Sequence, residues 1–335
     1  MNRPPPIAGD FELAANAAWS ACAAPTVCVV VSLFNYAAYI EECLASVAAT
    51  KTENLPGGFE IIIVDDASTD NSAQLADKFL ASTTLPVCLV KKKSNTGVAN
   101  TRNLGLQLAR APLVFILDAD NTIRPDCLAS HRHVLEISDS AMVYSHINRF
   151  DHATRRSLGT MSDREWNVPA LAAQPYIDAM AMFRKDTLLR VGGYSPELPG
   201  WQDYDLCLKL AQAGLTGKMI PQVLSDYRVH TGSMNQTSRQ FQRELAVYFS
   251  KKFFNLAPLA EGERLFGMPR HELALATGQN VFPHQPPGHA TRFVQRLLGE
   301  KLSRSLRRRI VALYAWLHPL LPLPVIVNKN EKNAD

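Results

Sequence analysis

Two aspartates, Asp118 and Asp120, directly follow the apolar run at residues 113–117. A short apolar run that ends at acids is typical of a buried strand whose last residues reach solvent. Residues two apart on an extended chain point to the same side, so both carboxylates can converge on one cation, or on a cation and a sugar hydroxyl. The pattern therefore indicates a hard-metal site, with a simple acidic turn as the alternative.

The elements that must position these acids alternate between strand and helix. Apolar, β-branched runs of strand length are found at residues 26–33, 59–64, 87–90 and 113–117. Helical spacing of apolar residues separates them, which predicts an α/β fold: a doubly wound, mainly parallel sheet with helices on both faces. Such sheets bind ligands beyond the carboxyl ends of their strands. Polar residues gather at those ends, at residues 32–35, 65–66, 95–102 and 118–120.

Composition limits the classes of protein and partner. The chain has 335 residues, 47% of them hydrophobic and 20% charged, with a net charge of +4. It can therefore bury a full core, and bulk charge gives no reason to expect a nucleic-acid partner. The six cysteines form no Cys-x-x-Cys pair, and no signal peptide is recognisable, so we expect reduced cysteines and a cytoplasmic protein.

Phosphate-binding loops of the common kinds are absent from the sequence. No Gly-x-Gly-x-x-Gly follows the first predicted strand, and no Gly-x-x-x-x-Gly-Lys-Ser/Thr occurs anywhere in the chain. Both motifs hold phosphates with backbone N–H groups. A phosphorylated ligand would therefore need a metal ion.

Four motifs occur in a fixed order: Val-Ser-Leu-Phe-Asn-Tyr at 31–36, Ile-Val-Asp-Asp-Ala-Ser-Thr-Asp at 63–70, Asn-Thr-Gly-Val-Ala-Asn-Thr-Arg-Asn-Leu-Gly at 95–105, and Leu-Asp-Ala-Asp-Asn at 117–121. With them, and with residues 200–206 and 226–233, the chain resembles the inverting, nucleotide-sugar-dependent glycosyltransferases of family 2, which have the GT-A fold. The resemblance implies a catalytic domain at 26–235. Residues 1–25 would be a leader with a short helix near 11–18, and residues 236–335 a helical extension.

The resemblance implies a nucleotide site at the first two strand ends. Ser32 and Phe34 would frame the base. Asp66, with Asp65 as the alternative, would accept the hydrogen bond of the ring imide. Arg102 would help to hold the nucleotide.

The resemblance also implies a metal site and a general base. Asp118 would face the ribose, Asp120 would bind Mn²⁺ or Mg²⁺ on the diphosphate, and His230 would complete the metal site. Asp203, at the start of a predicted helix, would take the proton of the acceptor hydroxyl, with Asp205 as the alternative if the register differs. Direct attack needs no enzyme nucleophile, so the anomeric configuration would be inverted.

The expected reaction moves a single sugar from a nucleotide-diphosphate sugar, by default a UDP-sugar, to a hydroxyl of a glycan or lipid-linked glycan in cell-envelope or exopolysaccharide biosynthesis. The Gln-x-x-Arg-Trp motif of processive synthases is absent. A sugar-phosphate nucleotidyltransferase is one alternative, but it expects a glycine-rich loop after the first strand. A non-catalytic nucleotide- or glycan-binding scaffold is another, but it expects loss of the metal or base acid.

Two further stretches carry weaker patterns. Residues 149–166 mix charges with few periodic apolar residues, which predicts a partly mobile loop over the donor. Residues 291–327 combine a basic amphipathic helix with an apolar, proline-containing end. This segment predicts peripheral contact with the inner face of a membrane, and packing on the catalytic domain or in a homodimer is the alternative.

Overall fold

The computed structural model describes residues 10–230, 240–260 and 262–277. The strands are β1 Phe11–Ala15, β2 Val27–Leu33, β3 Phe59–Asp65, β4 Val87–Lys92, β5 Leu113–Asp118, β6 Thr122–Ile123, β7 Met142–Asp151, β8 Ser157–Met161, β9 Ala181–Arg184, β10 Gly217–Val229, β11 Arg264–Leu265 and β12 Met268–Pro269. The helices are α1 Ala17–Ala21, α2 Ile40–Ala48, α3 Ser72–Ser82, α4 Val98–Leu108, α5 Cys127–Glu136, α6 Val168–Ala173, α7 Lys185–Arg190, α8 Gln202–Gln212, α9 Gln242–Lys252 and α10 Arg270–Thr277.

The chain divides into two compact units. The first contains residues up to 167 together with 175–241, and the second contains 168–174 together with the chain from 242 onward. In the first unit the described strands form one mixed sheet in the order β1-β4-β3-β2-β5-β9-β7-β10-β6, with β8 added beside β7. The predicted α/β class, with a mixed sheet whose central strands are parallel, is confirmed.

The four central strands are parallel in the order β4-β3-β2-β5. Every residue of β2 and β3 is buried, as their continuous apolar runs require for strands covered on both faces. Alternate residues of these strands share one core cluster with α2 and α5. On the opposite face α4 approaches β2 so closely that a Cβ on Gly105 would lie 2.3 Å from Cγ1 of Val30.

Two predictions made for single segments are wrong. Residues 11–15 form strand β1, antiparallel to β4, rather than the start of a helix. Residues 149–166 are not an unstructured loop, because β7 continues to Asp151 and pairs antiparallel with β8. Both are edge segments whose pairing depends on a distant strand, and local periodicity does not report such pairing.

The second unit has a small aromatic core of its own. Phe249, Phe253 and Phe266 are fully buried, and the backbone N–H of Phe266 donates to the carbonyl of Ala172 at 2.7 Å. The predicted basic segment at 291–327 lies outside the described residues. Across the described part of the chain, none of the helices combines the length and apolar character that a membrane span requires.

Candidate active site

The carboxyl ends of β2 and β5 bring Ser32 opposite Asp118 in the parallel register. The Ser32 hydroxyl donates to Oδ1 of Asp118 at 2.6 Å. Arg102, on α4, donates from Nη2 to both Asp118 oxygens, at 2.7 and 2.9 Å. Three of the predicted residues therefore form one hydrogen-bonded group. The close packing of α4 against β2 at Gly105 determines how near Arg102 lies to Asp118.

Asp66 follows β3 and is almost fully engaged by protein donors. Its Oδ1 accepts from the Lys92 ammonium at 2.5 Å and from the Thr96 N–H at 3.0 Å, and its Oδ2 accepts from the Gly97 N–H at 2.8 Å. These contacts tie the loop before α4 to the end of β3. Asp66 therefore holds the backbone on which Arg102 depends.

Asp65, the alternative acid, differs from Asp66 in its hydrogen bonding. Its Oδ2 accepts from the Ser68 N–H at 3.3 Å, whereas its buried Oδ1 has no partner among the described residues. Burial raises the pKa of the Asp65 carboxyl above its usual range. Phe34, which the resemblance placed beside the nucleotide base, is 39% exposed just beyond the end of β2.

Asp120 and His230 come together as predicted. Nε2 of His230 lies 3.0 Å from Oδ2 of Asp120. Asp120 as a whole residue is 5% exposed. Burial raises the pKa of Asp120, its hydrogen bond to His230 opposes this effect, and the charge of Asp118 adds to it. Oδ1 of Asp120 is buried with no partner in the described part of the chain. Within residues 10–230, 240–260 and 262–277 the pair belongs to no cluster of three or more metal-binding side chains of the His, Cys, Asp or Glu type.

Arg228 fixes the segment that carries Asp120, a role that the sequence analysis missed. Its Nε donates to the Asp120 carbonyl at 2.8 Å, and its N–H donates to the Asn121 side chain at 2.9 Å. Its Nη2 donates to Glu42 on α2 at 2.6 Å. The residue is 1% exposed, so its guanidinium is a buried brace between α2 and the turn that carries Asp120. Its place two residues before His230 was the available signal.

Asp203 lies in the first turn of α8, where the Tyr204 N–H donates to its Oδ1 at 2.9 Å. Burial raises the pKa of this carboxyl, the positive charge of Arg102 lowers it, and the negative charge of Asp118 raises it again. The pKa of Asp203 therefore responds to the charges of the Arg102–Asp118 pair, which comes from α4 and β5.

Asp205, the alternative base, lies in a different environment. It is fully buried, and its Oδ2 accepts from the Ser195 hydroxyl at 2.6 Å and lies 2.9 Å from the Lys209 ammonium. Lys209 also donates to the Gly193 carbonyl at 2.8 Å. These contacts join α8 to the segment before it. The Asp205 carboxylate therefore holds the fold together and is not open to a substrate.

Three non-glycine residues beside the predicted site adopt left-handed backbone conformations: Asn35 at φ 55°, Ala67 at φ 60° and Trp201 at φ 55°. Such conformations cost free energy for residues with a Cβ and persist where surrounding contacts impose them. Asn35 shows this directly, because its Oδ1 accepts from the Thr69 N–H at 2.7 Å. The backbone is thus held in tight turns after β2, after β3 and before α8.

Four further polar residues, to which the sequence pointed in no specific role, are affected by the charge of Asp118. They are Tyr36, Asp178, Tyr194 and Tyr227. Asp118 contributes to the raised pKa of each of these four groups. These four residues come from separate loops and strands. Tyr36 and Tyr227 belong to motifs quoted above, whereas Asp178 and Tyr194 do not.

The fold is shared with solved glycosyltransferase structures. TarS of S. aureus (residues 1–349, in complex with UDP-GlcNAc) aligns with a TM-score of 0.56 and 18% identity over 70% of each chain. The mannosyltransferase PcManGT of Pyrobaculum calidifontis, in complex with GDP-Man and Mn²⁺, aligns with a TM-score of 0.55 and 20% identity over 87% of this chain and 81% of that one. At these identities the likeness is one of fold.

Family models identify the class more specifically. The model for Glycosyl transferase family 2 matches residues 28–192, and that for Glycosyl transferase family group 2 matches residues 113–324. The chain therefore belongs to the family 2 group of glycosyl transferases. A relative with a curated description, the succinoglycan biosynthesis protein ExoU of Rhizobium meliloti, is 28% identical over 214 residues. The aligned region spans 59% of this chain and 60% of ExoU, which is less than two thirds of that relative.

Proposed function

We propose that this protein is a metal-dependent, inverting glycosyltransferase that moves one sugar from a nucleotide-diphosphate sugar to a hydroxyl of a glycan or lipid-linked glycan. The observation that carries the proposal is the Ser32–Asp118–Arg102 hydrogen-bonded group, whose charges act on the Asp203 carboxyl. This interaction supports a base for the acceptor near residues proposed to bind the donor. Family membership and the ExoU relative support a role in glycan assembly.

The donor side is proposed to bind the nucleotide through Ser32, Phe34, Asp65, Arg102 and Asp118. Of the two acids at the end of β3, Asp65 is the better acceptor for a ring imide because its Oδ1 has no partner among the described residues. Both oxygens of the other acid already accept from protein donors. UDP is the proposed nucleotide, in line with the UDP-GlcNAc complex of TarS.

The residues present fit a divalent cation, Mn²⁺ or Mg²⁺. The buried, unpartnered Oδ1 of Asp120 is a hard oxygen ligand, and His230 lies against the other oxygen. Asp120 and His230 would hold the ion. When bound, it would neutralise negative charge on the departing diphosphate.

Asp203 is proposed as the base that accepts the proton of the acceptor hydroxyl. Its backbone hydrogen bond from Tyr204 fixes one carboxyl oxygen and leaves the other for the acceptor. Arg102 favours the ionised form, which a base needs. Transfer by this direct route would invert the anomeric configuration.

Turnover of a nucleotide-sugar panel with Mn²⁺ or Mg²⁺ tests the proposal. We expect release of nucleoside diphosphate from one or a few UDP-sugars, dependent on the metal. Release of pyrophosphate from a sugar phosphate and a nucleoside triphosphate would instead identify a nucleotidyltransferase. Metal-dependent UDP binding without turnover of any donor or acceptor would identify a binding scaffold.

A further inference from the structure

A buried asparagine on α4, Asn103, binds the backbone of the segment between α7 and α8. Its Nδ2 donates to the Tyr194 carbonyl at 2.8 Å, and the Tyr194 N–H donates to its Oδ1 at 2.8 Å. One amide side chain thus pairs with both polar backbone groups of one distant residue. Asn103 is 3% exposed and Tyr194 is 1% exposed, so water has little access to these two hydrogen bonds.

Glycine at position 193 allows this close approach. Gly193 has a φ of 63°, and a Cβ built on it would lie 2.6 Å from Oδ1 of Asn103. Any other residue would be strained in its backbone and would also collide with the amide. The local geometry is therefore specific for the Asn103 hydrogen bonds.

A second set of contacts joins the same segment, residues 193–195, to α8. The Lys209 ammonium donates to the Gly193 carbonyl at 2.8 Å and to the Ser195 hydroxyl at 2.7 Å. The Ser195 hydroxyl donates to Oδ2 of Asp205 at 2.6 Å, and Asp205 forms an ion pair with Lys209 at 2.9 Å. Two side chains of α8 therefore hold the 193–195 segment, which Asn103 holds from α4.

The two helices joined in this way carry the two halves of the proposed site. Arg102 directly precedes Asn103 on α4 and donates to both oxygens of Asp118, and its guanidinium also lies over the Tyr194 ring at 5.2 Å. Asp203 lies in the first turn of α8, the helix that carries Asp205 and Lys209. The 193–195 segment is thus a continuous hydrogen-bonded link from the helix of Arg102 to the helix of Asp203.

We infer that Asn103 is a positioning residue that holds the base Asp203 at its working distance from the donor-binding residues, acting through the 193–195 segment and α8. The inference rests on the proposed function. A base must lie within hydrogen-bond reach of the attacking hydroxyl, and a small misplacement costs much of the rate. Arg102 has anchors of its own in Asp118 and in the packing of α4 on β2. Loss of the Asn103 hydrogen bonds should therefore displace the base and leave the nucleotide site in place.

The test compares Asn103→Leu and Asn103→Ala with wild type and with Gln107→Leu, an exposed amide on the same helix. Asn103→Leu should lower kcat about a hundredfold with the best UDP-sugar of the panel, because leucine fills the space and leaves both Tyr194 backbone groups unpaired. Asn103→Ala should lose less, because water can enter the space and bind both groups. Calorimetric titration should give wild-type affinity and stoichiometry for UDP in both variants. Gln107→Leu should match wild type throughout.

The order of the two losses separates positioning from packing. If Asn103 only filled space, the smaller alanine would be the more damaging change, and a greater loss of kcat in Asn103→Ala than in Asn103→Leu would overturn the inference. Wild-type kcat in Asn103→Leu, or a parallel loss of kcat and UDP affinity, would overturn it as well. If Asn103→Leu does not fold, Asn103→Ala decides alone, by a fall in kcat at unchanged UDP affinity or the lack of one. Absence of all turnover in the wild type would instead reject the proposed function, and the inference with it.

Discussion

Nε2 of His230 lies 3.0 Å from Oδ2 of Asp120, although the two residues are 110 positions apart in the chain. Their approach follows from the sheet, because β10 pairs antiparallel with β6 directly after Asp120 and runs on past it. The turn after β5 and the end of β10 are thereby placed side by side. The proposed metal side is therefore built from these two segments, whereas the proposed base lies on α8.

This separation predicts different losses in two variants. Asp120→Ala and Asp203→Asn should both abolish transfer, but only Asp120→Ala should weaken Mn²⁺-dependent binding of UDP. Asp120 would contact the metal, whereas Asp203 would contact the acceptor. Calorimetric titration of UDP with Mn²⁺ and with EDTA measures the difference, and the exposed-acid variant Asp186→Asn is the control. Equal loss of UDP binding in both variants would contradict the division of roles.

Arg228 should matter for both stability and metal binding. Arg228→Met removes the donor to the carbonyl of the buried Asp120 and one of the donors to the exposed Glu42, and should lower the free energy of unfolding by about 2 kcal/mol. It should also weaken Mn²⁺-dependent UDP binding. Urea denaturation and calorimetry measure the two effects. Glu42→Gln, which leaves the Asp120 contact in place, is the matched control, and UDP binding as strong in Arg228→Met as in this control would contradict the proposed brace.

Gly105 should be required for the close packing of α4 against β2. Gly105→Ala introduces a Cβ at 2.3 Å from the Val30 side chain and should destabilise the fold by about 1–3 kcal/mol through overpacking. Because α4 carries Arg102, UDP affinity should fall as well. The double variant Val30→Ala with Gly105→Ala restores space and should recover UDP affinity. Unchanged UDP affinity in Gly105→Ala would show that this contact does not determine the position of α4.

His131 should make the fold less stable in mild acid. It is fully buried, its Nδ1 lies 2.8 Å from the Cys127 carbonyl, and burial lowers its pKa to about 4. Between this value and the unfolded value near 6.5, the unfolded chain binds a proton that the folded chain does not. The free energy of unfolding should therefore fall by about 2 kcal/mol from pH 7 to pH 5 through this residue.

Urea denaturation at both pH values tests this dependence. His131→Leu, which cannot titrate, should lose that part of the pH dependence, whereas the exposed His133→Asn should keep it. An identical pH slope in wild type and His131→Leu would show that another group is responsible.

The sequence by itself was sufficient for the central sheet and for the residues at its strand ends. Short, continuous, β-branched apolar runs favour strands buried on both faces, and polar residues directly after parallel strands lie at the carboxyl edge of the sheet. Ser32, Arg102 and Asp118 were found together for this reason. Local patterns gave no information on β1 or on the β7–β8 pair, because edge pairing depends on partners far along the chain.

Only the tertiary structure distinguished acids of the same type. Asp205 is bound by Ser195 and Lys209, whereas Asp203, two residues before it, keeps an oxygen away from such partners. Spacing in the sequence predicts which residues lie on the same helix or strand. The environment of a carboxylate depends on neighbours from other elements, so its availability for chemistry was decided by packing.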